Sequence, residues 1–123
     1  MIHFKYIEFD SPDLPGSGKE FMSCVFLELL DKARSEAGIP FKITSGFRTP
    51  EYNYQLKSRG YPASINSEHL KGLAADIAVT SPANRLIIIE ALLYVGFRRL
   101  GIGKNYIHVD LSTTKRQDIV WVY

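Results

Sequence analysis

Apolar positions recur along this chain with two periods, about 3.6 and about 2, and the switches between them predict the elements. From Lys19 to Ala37, Phe21, Val25, Leu29 and Ala33 fall at successive i+4 steps, with Met22, Phe26 and Leu30 on the adjoining row. That pattern predicts one helix with a wide apolar face, stopped by Gly38 and barred from continuing by Pro40. A second strong helix opens at Ser81-Pro82, runs to about Tyr94 and closes at Gly96. Between them, Thr49-Pro50 reads as an N-cap and first turn for a short helix over Glu51 to Lys57.

The period-2 segments are shorter. Phe41 to Thr44, Ala74 to Val79, Phe97 to Gly103 and Tyr106 to Leu111 are predicted strands, the last two joined by a turn at Lys104-Asn105. Residues 3 to 9 alternate, with Phe4, Tyr6 and Ile2 on one face, and read as a short edge strand. The tail from Asp118 to Tyr123 favours extended structure and is expected to cover a sheet edge. Asp10 to Gly18 and Arg59 to Asn66 read as loops. Two main helices among short strands, without a regular strand-helix-strand alternation, predict an α+β fold with a small, mostly antiparallel sheet.

Composition narrows the class. At 123 residues the chain is expected to be one domain, residues 1–123, and its 46% apolar content argues against disorder. A net charge of +2 with no basic stripe gives no reason to expect nucleic acid as partner. The longest apolar run, Leu86 to Val95, is interrupted by Glu90 and is too short to span a membrane. The first residues lack the basic and apolar regions of a signal peptide, so synthesis in the cytoplasm is expected, with action in the periplasm or cell wall requiring another route out. The single cysteine, Cys24, sits in an apolar run and reads as a buried, inert thiol. A monomer is expected.

The candidate chemistry centres on Ser67 to Asp76, read Ser-Glu-His-Leu-Lys-Gly-Leu-Ala-Ala-Asp. His69 and Asp76 lie there, and His108 follows in Tyr-Ile-His-Val-Asp-Leu. Two imidazoles and a carboxylate suit a catalytic zinc that keeps one position open. Asp76 lies in an otherwise apolar run, where a buried carboxylate must be paired or coordinate something. Gly72 between the two ligands allows a sharp turn back. His108 and Asp110 share one face of an extended segment, with Tyr106 beside them.

Three blocks in order, Thr44-Ser45-Gly46-Phe47-Arg48-Thr49-Pro50, Ser67-x-His69-x-x-Gly72-x-Ala74-x-Asp76 and His108-Val109-Asp110, resemble the M15 zinc peptidases. That family holds D-Ala-D-Ala carboxypeptidases and peptidoglycan endopeptidases, and hedgehog signalling domains share its fold. The resemblance implies one Zn2+ held by His69, Asp76 and His108, a substrate-engaging Arg48 that polarises a carbonyl, and a Ser67 hydroxyl that hydrogen-bonds substrate. It implies hydrolysis of peptidoglycan stem peptides or their precursors, at a D-Ala-D-Ala or an L-Ala-D-amino-acid bond; the lack of a signal peptide suits a small phage-type lysis or entry protein, or a cytoplasmic enzyme trimming soluble precursors. Several family members carry an acid three residues before the last histidine ligand. Here that position is Asn105. Asp110 stands in either as general base or as a residue that fixes a ligand imidazole, with Glu68 a third candidate. The rival reading is a zinc-containing binding module of the same fold that has lost catalysis.

Overall fold

In the computed structural model, which describes residues 1–123, five strands form one sheet in the order β1-β2-β4-β3-β5. They are β1 Ile43–Ser45, β2 Ala74–Ala78, β3 Arg99–Ile102, β4 Tyr106–Asp110 and β5 Ile119–Val122. All neighbouring pairs are antiparallel except β3 with β5, which is parallel. The helices are α1 Ser17–Phe21, α2 Cys24–Ala37, α3 Pro50–Ser58 and α4 Pro82–Val95. The architecture is therefore the α+β class with a small, mostly antiparallel sheet. No helix is long and apolar enough to cross a membrane.

Strand alternation divides the sheet into two chemically different faces. Ala75, Ile77, Leu100, Ile107 and Val109 are fully buried and join one apolar core with Phe26, Leu27 and Leu30 of α2 and Ile88, Ala91 and Leu92 of α4. The intervening positions, Asp76, Gly101, His108 and Asp110, turn to the opposite face, where no helix of the core lies. The two long helices make a rigid backing for that second face.

Helix ends follow local chemistry. Thr49 and Ser81 accept hydrogen bonds from Tyr52 N and Asn84 N, each with proline at the first helical position. Gly38 and Gly96 close α2 and α4 in the left-handed conformation. The long helix expected from Lys19 differs. It breaks at Met22, whose backbone is extended, and restarts with Ser23 as N-cap to Phe26 N. Ser23 N donates to the Gly72 carbonyl at 3.0 Å, so a contact distant in sequence replaces the helical bond. Only the Phe26–Leu30–Ala33 side of the expected face is buried. Val25 is 69% exposed, and Cys24, at the first position of α2, faces solvent instead of lying buried.

Residues 3 to 9 are also not a strand. Tyr6–Phe9 form a 3-10 turn, with Glu8 Oε2 accepting from Lys5 N at 2.7 Å. Phe4 and Phe9 are the buried members, packed edge to face at 5.4 Å, while Ile2 and Tyr6 are exposed. The segment is held down by Asp31 of α2, whose two oxygens accept from Ile2 N and His3 N at 2.9 Å.

Burial pushes the Asp31 carboxyl up, but the hydrogen bonds from Ile2 and His3 outweigh it and hold the group below its ordinary value. A folded-state value below the unfolded one gives stability present above about pH 4 and lost as pH falls through the folded value. Asp31→Asn is therefore expected to lower Tm at pH 7 and to flatten the fall of Tm with acid. Parallel Tm curves for the two proteins from pH 7 to pH 3 would refute this role.

Candidate active site

The site is a row of residues running straight across the sheet. Ser45 of β1 pairs with Asp76 of β2, Asp76 with His108 of β4, His108 with Gly101 of β3, and Gly101 with Trp121 of β5. Directly opposed residues share a face, so all five strands contribute one member to the same surface. His69 joins from outside the sheet. It lies in a 3-10 turn, Glu68–Lys71, with Ser67 as N-cap and Gly72 at φ +69° reversing the chain toward β2. A Cβ on Gly72 would lie 2.0 Å from the Phe21 carbonyl oxygen, so glycine is required both for the turn and for the approach of the α1–α2 break.

The ligating atoms of His69, Asp76 and His108 lie within 4.8 Å of one another, and all three residues are buried. Asp76 Oδ1 is 3.2 Å from His69 Nε2 and 3.0 Å from His108 Nδ1. The far nitrogen of each ring is engaged by an acceptor. His69 Nδ1 is 2.7 Å from the Gly46 carbonyl, which can only accept, so that nitrogen carries the proton. His108 Nε2 donates to Asp110 Oδ2 at 2.8 Å. With the far nitrogen of each ring engaged in this way, His69 Nε2 and His108 Nδ1 are the atoms that face Asp76, and acceptors on the far nitrogens are the outer arrangement that metal-binding imidazoles need. Two imidazole nitrogens and a carboxylate fit zinc, leaving a tetrahedral position free.

The electrostatics follow from burial and these contacts. Burial holds His69 below the usual imidazole range, despite Asp76. At His108 burial acts in the same direction, but hydrogen bonds to Asp110 and Asp76 outweigh it and raise the value. Burial would raise the Asp76 carboxyl, yet the two histidines hold it well below the ordinary range, so it is ionised. Its Oδ2 is paired with Arg48 Nη2 at 3.2 Å. Arg48 also donates through Nε to Ser45 Oγ and through Nη1 to Asn53 Oδ1, at 2.9 and 3.2 Å.

Every site residue expected from the sequence borders this surface, with differing commitments. Asp110 is 2% exposed, and both its oxygens are engaged: Oδ2 by His108, and Oδ1 by Arg99 Nε at 2.7 Å and Ser112 N at 3.0 Å. Ser67 Oγ accepts from His69 N at 3.2 Å, leaving its own O–H free to donate. Asn105 is exposed in the β3–β4 turn. Glu68 is 2% exposed, with Oε1 near Ser112, Lys71 and Lys115, and Oε2 without a partner.

Asp76 divides two depressions. The smaller, about 180 Å³, is lined by Ser67, Glu68, His69, His108, Asp110, Lys115 and Trp121, among others. The larger, about 430 Å³, is lined by Thr44, Ser45, Arg48, Tyr52, Arg59, Tyr61, Asn105 and Tyr106, with Leu56, Pro62 and Ala78 beneath. Burial, with the nearby Tyr123 and Asp76, pushes the Tyr106 phenol above its ordinary value, so it remains a neutral donor.

Sequence reasoning missed Arg99, Asn53, Gly46, Gly101 and Trp121. Arg99 is 7% exposed, also donates to the Arg116 carbonyl, and lies 5.0 Å over the Trp121 ring. The Trp121 ring reaches within 5.6 Å of His108 by crossing Gly101. A basic residue opening a buried strand was the available signal for Arg99, Gly46 stood within the Thr44–Pro50 block, and Asn53 lies five residues from its partner Arg48; Gly101 and Trp121 meet only through strand pairing and left no local trace.

The fold is an α+β domain in which His69, Asp76 and His108 form a group that could hold a metal ion. The chain matches the Peptidase M15 family model over residues 11–110 and belongs to that family. No curated protein sequence matches it. Its fold is similar to that of the Serratia marcescens L-Ala D-Glu endopeptidase ChiX, with TM-score 0.63 and 17% identity, over 76% of this chain and 82% of that one.

A Cβ on Gly101 would fall 2.7 Å from Trp121 Nε1. Gly101→Val, tolerable to a strand backbone, is expected to lift the indole off His108, red-shifting tryptophan emission with far-ultraviolet circular dichroism unchanged. An unshifted spectrum would mean that the ring does not depend on this gap.

Proposed function

We propose that this protein is a zinc-dependent peptidase acting on peptidoglycan stem peptides. The observation that carries the reading is the convergence of His69 Nε2, His108 Nδ1 and Asp76, with the far nitrogen of each ring engaged by an acceptor. Membership of a peptidase family supports hydrolysis, and the fold shared with an L-Ala D-Glu endopeptidase favours a cut within the stem over removal of a terminal D-Ala. A cell-wall peptide substrate would be met in the periplasm or wall, and a soluble precursor in the cytoplasm.

His69, Asp76 and His108 would hold one zinc ion. When bound, zinc supplies Lewis-acid polarisation of a carbonyl and brings the pKa of water toward roughly 7. The chain's own residues do the rest. Arg48 holds Asp76 in place and borders the larger depression, where its remaining N–H groups are available to a substrate oxygen. The Ser67 hydroxyl donates to the bound peptide from the other side of Asp76. Asp110 is assigned the orienting role, because its oxygens are already engaged by His108, Arg99 and Ser112. Among carboxylates on the smaller cavity's wall, Glu68 is the one with an oxygen, the buried Oε2, that no group of the chain pairs, which makes it the candidate base.

The roles separate experimentally. Asp110→Asn is expected to weaken zinc binding by about 10- to 100-fold in a chelator-competition titration, as for other residues that support a ligand imidazole. Undiminished affinity with turnover lost by a factor of ~10² or more would return Asp110 to the role of base.

The reading itself is tested with zinc-quantified protein and muropeptides of defined stem length, with and without chelator, products being read by mass spectrometry. Chelator-sensitive cleavage inside the stem is expected. Loss of one terminal residue instead would make it a carboxypeptidase. Stoichiometric zinc without cleavage of any muropeptide would leave the binding module as the surviving account.

A further inference from the structure

The cations around the site differ in what they are already doing. All three guanidinium nitrogens of Arg48 donate to Ser45, Asn53 and Asp76. Arg99 serves Asp110 and the Arg116 carbonyl. Lys115 is bound to the Asn66 carbonyl at 2.6 Å and lies 3.4 Å from Glu68. Arg59 is the exception. It lines the larger depression beside Asp76, and its side chain makes no hydrogen bond or ion pair within the chain.

Its backbone, by contrast, is fixed. Arg59 N donates to the Gln55 and Leu56 carbonyls at the end of α3, and Gly60 turns at φ +85°. Tyr61 N then returns to the Leu56 carbonyl at 3.0 Å. A cation at a helix C-terminus is favoured by the helix dipole, which accounts for its charge but not for its place on the cleft wall. The depression's other charged groups are Arg48 and Asp76, and those are paired with each other. Its uncompensated charge is therefore positive and resides on Arg59. The adjoining walls, Tyr52, Tyr61 and Tyr106, are amphipathic and suit a peptide.

We propose that Arg59 reads a free carboxylate on the substrate, next to or near the bond cut at Asp76, and so sets specificity for acidic over amidated peptides. This rests on the peptidase reading above. A planar guanidinium suits a carboxylate bidentately, and such charge-assisted pairs exceed neutral hydrogen bonds in strength. In a stem peptide that carboxylate can be the α-carboxylate of a γ-linked D-Glu or the chain's C-terminal group. The chemistry is the same; the test tells them apart.

Four synthetic tetrapeptides, L-Ala-γ-D-Glu-diaminoacyl-D-Ala with each carboxylate free, amidated at Glu, amidated at the C-terminus, or at both, would be compared on zinc-loaded enzyme. The wild type is expected to lose roughly tenfold in kcat/KM, mostly through KM, on amidation of the carboxylate that Arg59 reads. Arg59→Gln should bring all four peptides within about twofold of one another, and Arg59→Lys should keep part of the discrimination. Equal use of all four by the wild type, or an unchanged ratio in Arg59→Gln, overturns the proposal. Calorimetric binding of the same peptides to zinc-free protein gives a second readout. If nothing is cleaved the peptidase reading fails, while the free-acid against amide binding ratio in wild type and Arg59→Gln still decides for or against Arg59.

Discussion

A carboxylate buried in the middle of a sheet is the constraint from which the rest of this molecule follows. Asp76 stands on the central strand pair with its side chain 11% exposed, and an isolated charge there would be prohibitively costly. Three partners relieve it: Arg48 on one oxygen and the two imidazoles on the other. Each partner must arrive from a different part of the chain. Arg48 follows β1, His69 precedes β2 and His108 lies opposite on β4. The order of the sheet is what makes these arrivals simultaneous. With β2 and β4 adjacent, β1 and β3 outside them and β5 beyond, a single cross-strand row carries support, ligand, ligand, gap and aromatic cover.

Packing remote from that row also decides its chemistry. The Gly46 carbonyl that fixes the His69 tautomer belongs to a segment with no side chain in the way. A Cβ on Gly46 would come within 2.6 Å of the Phe9 Cα, and Phe47 N donates to the Phe9 carbonyl at 2.9 Å. Phe9 is in turn seated by Phe4, and the segment leading to it is tied to Asp31 on α2. The N-terminal turn thus acts on the site through the position of one carbonyl oxygen. The helical face of the sheet contributes stiffness in the same way: Ile77 and Ile107 alternate with Asp76 and His108, so both site residues sit on a backbone anchored in close-packed core.

The pattern of the chain made much of this legible. Asp76 stood out because a charge inside Leu-Ala-Ala-Asp-Ile-Ala demands a partner, and that demand is what the structure meets. Thr49-Pro50, Ser81-Pro82, Gly38 and Gly96 set helix ends through bonds confined to neighbouring residues, which a local reading can see. The losses share a different origin. The i+4 rows of Lys19 to Ala37 extend unbroken through Met22, yet Ser23 bonds to Gly72, a partner 49 residues away that periodicity cannot register. That break rotates Val25 and Cys24 out to solvent. Residues 3 to 9 alternate as a strand would, but Glu8 caps its own turn and leaves no edge to pair. Arg99 and Trp121 gained their places through β3–β5 register, a property of strand order and not of either segment alone.

The charged groups that surround His69, Asp76 and His108 argue against stability as their purpose. The motif of cation, carboxylate and imidazole occurs twice, as Arg48–Asp76 with His69 and His108, and as Arg99–Asp110 with His108. Both arginines are 7% exposed. Well-packed apolar residues in place of such buried pairs are often neutral or stabilising, whereas removing one partner from a pair costs about 3–5 kcal/mol. A fold selected for stability alone would gain nothing from two of them side by side. Their arrangement makes sense if the quantity being controlled is the orientation of two imidazole rings and the ionisation of one carboxylate. Each of those is met here by a group whose own charge is compensated one layer further out, as a group that could hold a metal ion would require.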